Sequence, residues 1–323
     1  MTPKIQPSEN QESVTVQIPT YDMARLNGDL DLLCSELQTM ILDELSVPDL
    51  ASLAKTRTEN DEGVKDYMHK RREDILGAFV KDVGQFLTLL DRTGLVVSCS
   101  SALHLVQAKA MAVHLRDMDV YATIEFENIM MDHFKTTEGY KVMNKSSRKN
   151  EYDSSVVNEV YKLEKGEKKV DIIFTDWASA IVPILQYHST AVMNYIMARS
   201  LVSLYPQWTT EKKSLVNPRL YFEDCTNIRS VRALMKYVRR GFHVTTEPFQ
   251  LGTHDCQQSA YCPHATRNTL DRDTLRWIFR PVNTLGDIPV TCDDMAVIMW
   301  CLGGQECKED GDEVSSAFIT VGG

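Results

Sequence analysis

Between Leu95 and Thr123 the chain places an apolar strand, a turn of small residues and a second strand bearing two aspartates, an order that few folds accommodate. The first run reads L-V-V-S-C-S-S-A-L-H-L-V and the second R-D-M-D-V-Y-A-T. Side chains alternate along a strand, so Asp117 and Asp119 share one face, where two carboxylates can hold a divalent cation. A third acid, Asp171, is set in another apolar run, K-K-V-D-I-I-F-T, as the inward-facing residue of a further strand. Val156 to Leu163 reads as a strand, Glu164 to Lys168 with Gly166 as a tight turn, and Val170 to Phe174 as the return strand. This hairpin brings Asp171 beside the other two acids.

The order of a strand, a small-residue turn, an Asp-x-Asp strand and a later acidic strand resembles the nucleotidyltransferase fold of the DNA polymerase beta-like superfamily. The resemblance implies a mixed-sheet α+β domain over residues 76–304. It also implies magnesium held by Asp117, Asp119 and Asp171, and a nucleoside triphosphate against the turn Cys99, Ser100, Ser101. In such a site one metal activates the attacking hydroxyl and the other stabilises the departing pyrophosphate. Cys99 departs from the pattern, because the family has glycine before Ser100. Glycine reaches positive φ freely and lets the backbone lie against phosphate. The resemblance therefore supports the fold more firmly than surviving catalysis.

A balance of 35 basic against 45 acidic side chains gives a net charge of -10, which does not favour non-specific nucleic-acid binding. The longest nearly uninterrupted apolar run, around Ala178 to Leu185, is far shorter than the about 20 residues that span a bilayer, so no membrane span is expected. The first twenty residues are polar, contain Pro3, Pro7 and Pro19, and lack the apolar core of a leader. They read as a disordered arm over 1–28 on an intracellular protein, cytoplasmic or nuclear. Eight cysteines in 323 residues are too sparse for a disulfide framework and read as reduced thiols.

From Leu32 the chain reads L-L-C-S-E-L-Q-T-M-I-L-D-E-L-S-V-P-D-L-A-S-L-A-K-T. Ser35 with Gln38 forms a capping-box pattern, and Leu37, Ile41 and Leu45 continue one apolar face that Leu42 widens. Pro48 suits the first turn of a second helix carrying Leu50 and Leu53. Two short leucine-bearing helices joined at a Val-Pro-Asp corner resemble the F-box, although Cys34 stands where that module has proline. The resemblance, covering residues 29–75, implies docking to the Skp-type adaptor of a cullin-RING ubiquitin ligase through Leu33, Leu37, Ile41, Leu45, Pro48, Leu50 and Leu53. An amphipathic pair that packs on the rest of the chain is the competing reading.

A long helical pattern follows from Val64 to Leu90, with Gly77 and Gly84 marking a break and Gly94 the stop. Lys70, Arg71 and Arg72 are expected on its solvated side. Trp177 to Ala198 is read as a helical region, in which His188, Ser189, Thr190 and Asn194 serve as a hydrogen-bonded corner or border the cleft. Arg229, Arg232, Lys236, Arg239 and Arg240 recur at helical spacing opposite Val231, Leu234, Met235 and Val238. This basic helix either faces solvent or offers Arg232 or Lys236 to an anion. His254, Cys256, Cys262 and His264 form H-x-C-x5-C-x-H, a possible zinc set whose central gap exceeds the usual two to four residues, with an ordinary packed loop as the alternative. Asp294 to Leu302 suggests a last apolar element, and 305–323 a mobile tail.

Together these features imply an α+β protein with an F-box-like helical segment and a nucleotidyltransferase-like domain, acting as adaptor or substrate receptor of a ubiquitin ligase. The alternative is an active magnesium-dependent nucleotidyltransferase acting on RNA, protein or a small acceptor.

Overall fold

Helix ends at the amino terminus are set by side chains other than the expected pair. The computed structural model describes residues 30–147, 156–222, 228–279, 297–305, 307 and 314–322. A 3-10 turn, Leu30–Leu32, precedes α1 (Ser35–Asp43), α2 (Val47–Ala54) and α3 (Thr58–Gly77). Ser35 is already the first helical residue, and Gln38 Nε2 donates instead to Leu30 O and Leu33 O, both at 2.9 Å. The capping box forms one helix later, where Ser46 N donates to Asp49 Oδ2 at 3.2 Å and Pro48 occupies the first turn. The arm expected over 1–28, like Cys225 and Cys292, lies outside the described residues.

After the break at Gly77, α4 (Val83–Thr93) begins where Asp82 Oδ1 accepts from Gln85 N at 2.9 Å and stops at Gly94, whose φ is 64°. Next come β1 (Val96–Ser98), α5 (Cys99–Val106), β2 (Asp117–Thr123), α6 (Glu127–Asp132), β3 (Lys141–Ser147), β4 (Glu159–Lys165) and β5 (Lys168–Thr175). Gly166, at φ 59°, allows the tight turn between β4 and β5.

The stretch from Trp177 to Ala198, expected to be helical, forms only α7 (Val182–Leu185) and a 3-10 turn before entering β6 (Asn194–Ile196). With β7 (Ser200–Ser203) this strand is buried throughout, a setting in which the apolar pattern does not separate strand from helix. Shorter elements follow: α8 (Pro206–Thr210), β8 (Lys213–Leu215), α9 (Arg219–Phe222), α10 (Ile228–Arg239), β9 (His243–Thr245), β10 (Arg267–Asn268) and β11 (Leu275–Ile278). The chain closes with β12 (Val297–Cys301), β13 (Gly304–Gln305), β14 (Val314–Ser315) and β15 (Phe318–Gly322). The supposed mobile tail therefore carries two strands. Its β15 pairs along the whole of β12, and each strand supplies hydrogen-bond partners to the other.

The main sheet has the order β11-β7-β6-β1-β2-β5-β4-β3. Among its described pairings, β2 with β5 is parallel and the others are antiparallel, so the protein is a mixed-sheet α+β structure. One face carries Val97, Met118, Val120, Val170 and Ile172 against Leu50, Val64, Met68 and Phe86 of the amino-terminal helices. The opposite face carries Val96, Tyr121, Ile173 and Tyr195 against Ile184, Trp208 and Trp300. The helical segment of 29–75 thus shares one core with the sheet. Among the described residues, no helix is long and apolar enough to cross a membrane.

Arg71 and Arg72 are buried, which corrects the expectation that this basic cluster is solvated. Arg71 Nη2 donates to His104 O at 2.8 Å and Gln107 O at 3.1 Å. Arg72 Nη1 donates to Ala198 O at 2.9 Å, and its guanidinium lies 4.1 Å from the Phe279 ring centre. Carbonyls left free at turns, together with an aromatic face, accept these two cations inside the fold. Arg72→Ala should destabilise the protein by about 3 kcal/mol, whereas Lys70→Ala, on an exposed position, should stay within about 0.5 kcal/mol. Denaturant unfolding of the two variants checks this, and equal effects would contradict it.

Candidate functional site

Parallel pairing of β2 and β5 sets Asp119 directly beside Asp171. Asp117 lies two residues earlier on the same face of β2, so all three carboxylates rise from one side of the sheet. That side is opposite Met118 and Val120, which pack on the amino-terminal helices. Burial, followed by the charges of Asp117 and Asp171, pushes the Asp119 carboxyl up to about 7. Burial also raises Asp171, while Lys162 opposes the shift with Nζ 3.5 Å from Asp171 Oδ2.

The turn after β1 closes this group. Ser98 pairs with Asp119, and Cys99 then takes φ 54°, the left-handed conformation that glycine occupies without strain. Here a cysteine adopts a backbone conformation that side chains rarely take. Its thiol donates to Tyr187 Oη at 3.0 Å and lies 3.8 Å from Tyr121 Oη. Ser100 Oγ stands 3.4 Å from both Asp117 O and Asp117 Oδ1. Ser101 Oγ is buried and has no hydrogen-bond partner among the described residues.

Aromatic side chains line the adjoining wall. Tyr121 and Tyr187 meet edge to face at 5.8 Å between ring centres, and His188 and Tyr237 tilt together at 5.4 Å. Lys236 of α10 is exposed, with Nζ 5.9 Å from the Tyr237 ring centre, and its charge lowers the Asp119, Cys99 and His188 values slightly. Arg232, one turn earlier, is exposed. Sequence reasoning missed Tyr121, Tyr187 and Tyr237. The first follows Asp117 and Asp119 at the same alternating spacing, which was the available signal, whereas the others reach the cleft only through tertiary packing.

The titration pattern limits the chemistry. Burial pushes the Cys99 thiol well above its ordinary value and drives His188 down to about 4, with Lys236 adding to the second shift. Each group is therefore held neutral, and Cys99 lacks the thiolate that nucleophilic cysteine catalysis requires. The carboxylates remain as the reactive feature. Oxygen donors held close enough to oppose one another's ionisation suit a hard divalent cation, which relieves that repulsion.

The other anticipated residues are dispersed. Ser189, Thr190 and Asn194 are buried, with Thr190 Oγ1 accepting from Leu215 N at 3.0 Å and Asn194 Nδ2 donating to Ala191 O at 2.8 Å, so they form a structural corner. On the apolar side read for α10, Val231, Met235 and Val238 are exposed and Leu234 is half-buried, while Tyr237 is the residue of the helix that is buried. Leu37 and Ile41 are exposed, Leu33, Leu45 and Leu53 are half-buried, and Leu50 is buried in the core. Leu50 therefore packs internally in this arrangement and does not form an outward contact. Pro48 lines a cleft of about 730 Å³ between α2 and β11, which none of the three aspartates reaches. His254, Cys256, Cys262 and His264 gather at a separate place, joined there by Cys307.

Asp119 generates a pH dependence of known sign. Its folded carboxyl holds a proton to about 7, above its ordinary value near 3.8, so ionisation opposes folding and stability falls as pH rises through that interval. In chelator, Asp119→Asn should raise the melting temperature by several degrees at pH 8 and by much less at pH 5. A pH-independent difference would contradict the burial and repulsion assigned to this group.

Compared with known proteins, the chain matches no family profile, no curated protein sequence and no solved structure.

Proposed function

We propose that the chain is a two-part receptor: its carboxylate cleft recognises a magnesium-bound nucleotide, and its amino-terminal helices dock to the Skp-type adaptor of a cullin-RING ubiquitin ligase. The convergence of Asp117, Asp119 and Asp171 beside the Cys99 turn carries the nucleotide half of this reading. These three carboxylates would hold the cation, and Ser100 would steady Asp117. Magnesium, when bound, supplies positive charge for the triphosphate and, in a transferase, activation of the acceptor hydroxyl. Lys236 adds positive charge that acts on Asp119, and the backbone N–H groups at the start of α5 offer hydrogen bonds to phosphate oxygens.

The occupied turn favours recognition over transfer. The Cys99 side chain lies against Asp119 and Tyr187 in space that glycine would leave open, and in a transferase of this type it would crowd the reacting phosphate. The retained carboxylates favour the rival reading of an active transferase. Support for docking comes from Leu37, Met40 and Ile41, which are 46%, 64% and 40% exposed on α1. That no described residue covers these side chains fits a partner that buries them.

Calorimetry with ATP, GTP, CTP and UTP in magnesium tests the cleft. One nucleotide should bind the parent chain, Asp119→Asn should weaken it at least tenfold, and Cys99→Gly should tighten it severalfold. Absence of binding to both the parent and the glycine variant would remove the nucleotide reading. Release of pyrophosphate by the parent at a rate unchanged by Cys99→Gly would favour the transferase.

Docking has its own readout. The pair Leu37→Ala and Ile41→Ala should lower copurification of the adaptor at least tenfold while leaving the circular dichroism and melting temperature of the chain near those of the parent. Failure of the parent to bind the adaptor would overturn this half and assign α1 to internal packing.

A further inference from the structure

We propose that His254, Cys256, Cys262 and Cys307 form a structural zinc site that clips the carboxy-terminal strands to the loop ahead of β10. Two overlapping groups, His254–Cys262–Cys307 and Cys256–His264–Cys307, each place their ligand atoms within 4.8 Å of one another. Cys307 belongs to both and is the point of convergence. Thiolates bound at about 2.3 Å to a tetrahedral zinc stand about 3.8 Å apart. Cys262 Sγ and Cys307 Sγ are 3.8 Å apart, whereas a disulfide would require about 2.05 Å.

The two histidines differ in availability. His264 is engaged at both ring nitrogens, with Nδ1 2.6 Å from Ser315 Oγ and Nε2 2.7 Å from Gln305 O. His254 Nε2 is buried with no hydrogen-bond partner among the described residues. This unpaired nitrogen makes His254 the fourth ligand and leaves His264 to hold β13 and β14 together. The sequence pattern had included His264 and lacked Cys307, because a ligand some forty positions away gives no local spacing signal.

Local backbone also suits metal ligation. Gln257, at φ 65°, turns the chain so that its N–H donates to Cys262 Sγ at 3.1 Å. Such a bond stabilises a thiolate and fixes its direction. Beside the cluster, Pro263 O accepts from Gly303 N at 2.9 Å and from Cys301 Sγ at 3.2 Å, joining the same loop to the end of β12. His254, Cys262 and Cys307 form one of these groups, and Cys256, held near Cys307 in the other, would close a tetrahedral set of three cysteines and one histidine, the form of a structural rather than catalytic zinc. Binding displaces the thiol protons to solvent and leaves the imidazole neutral.

The test uses the full chain purified without chelator. Elemental analysis should find one zinc per chain, and cobalt substitution should give the intense visible bands of tetrahedral thiolate coordination. His254→Ala, Cys256→Ser, Cys262→Ser and Cys307→Ser should each lower cobalt affinity at least tenfold, whereas His264→Ala and Cys301→Ser should retain the tetrahedral spectrum. Because a variant can fail to fold, thiol titration of the unaltered chain provides a second readout, and modification should release its zinc stoichiometrically. Lack of stoichiometric zinc together with no tetrahedral cobalt spectrum would overturn the proposal. A Cys262–Cys307 disulfide found by mass spectrometry in the freshly purified chain would also overturn it, as would loss of cobalt binding on His264→Ala with none on His254→Ala.

Discussion

The parallel pairing of β2 with β5 is the constraint around which the sheet and its cleft are organised. Antiparallel neighbours surround this pair, so the chain must build α6, β3 and β4 before β5 can return alongside β2. In-register pairing then forces Asp119 and Asp171 side by side. Apolar residues alternating with these acids fill the helix-covered face and leave the acids no inward escape. The electrostatic cost at Asp119 is therefore a product of strand register and burial, and the same geometry makes the group suitable for a cation.

Buried arginines connect that sheet to the helices before it. Arg72 reaches Ala198 O, at the turn between β6 and β7, and stacks on Phe279 beyond β11. Arg267 plays a comparable part on the other face, donating to Leu204 O at 2.6 Å with its guanidinium 4.8 Å from Tyr205 and 5.3 Å from Trp300. Both cations exchange hydration for carbonyls and aromatic faces. The helical region and the carboxy-terminal strands are consequently layers against one sheet, although α1 retains an exposed apolar surface.

Local patterns made part of this arrangement legible. Asp117, Asp119 and Asp171 could be placed on strands because each lies within an alternating or continuous apolar run, and the glycines at 94 and 166 marked real boundaries. The Trp177–Ala198 stretch was less informative because most of it, 179–185 and 189–198, is buried, erasing the contrast between its faces. Arg71 and Arg72 looked solvated because their carbonyl partners lie at least 33 positions away. Cys99 was legible in both respects: its place in the pattern pointed to a left-handed turn, and its side chain posed the question of what fills the cleft.

The same sheet order has a consequence for how the protein acquires its structure. At its centre, β1 needs β2 on one side and β6 on the other, and Ser98 Oγ donates to Asn194 O across 96 positions. Closing so long a loop costs conformational entropy before the central strand gains its second neighbour. The amino-terminal helices can meet through short-range contacts, but the middle of the sheet must wait for the distant return of β6. Its folding is thus expected to be slow and dominated by non-local contacts, with an unpaired edge of β1 exposed until that return takes place.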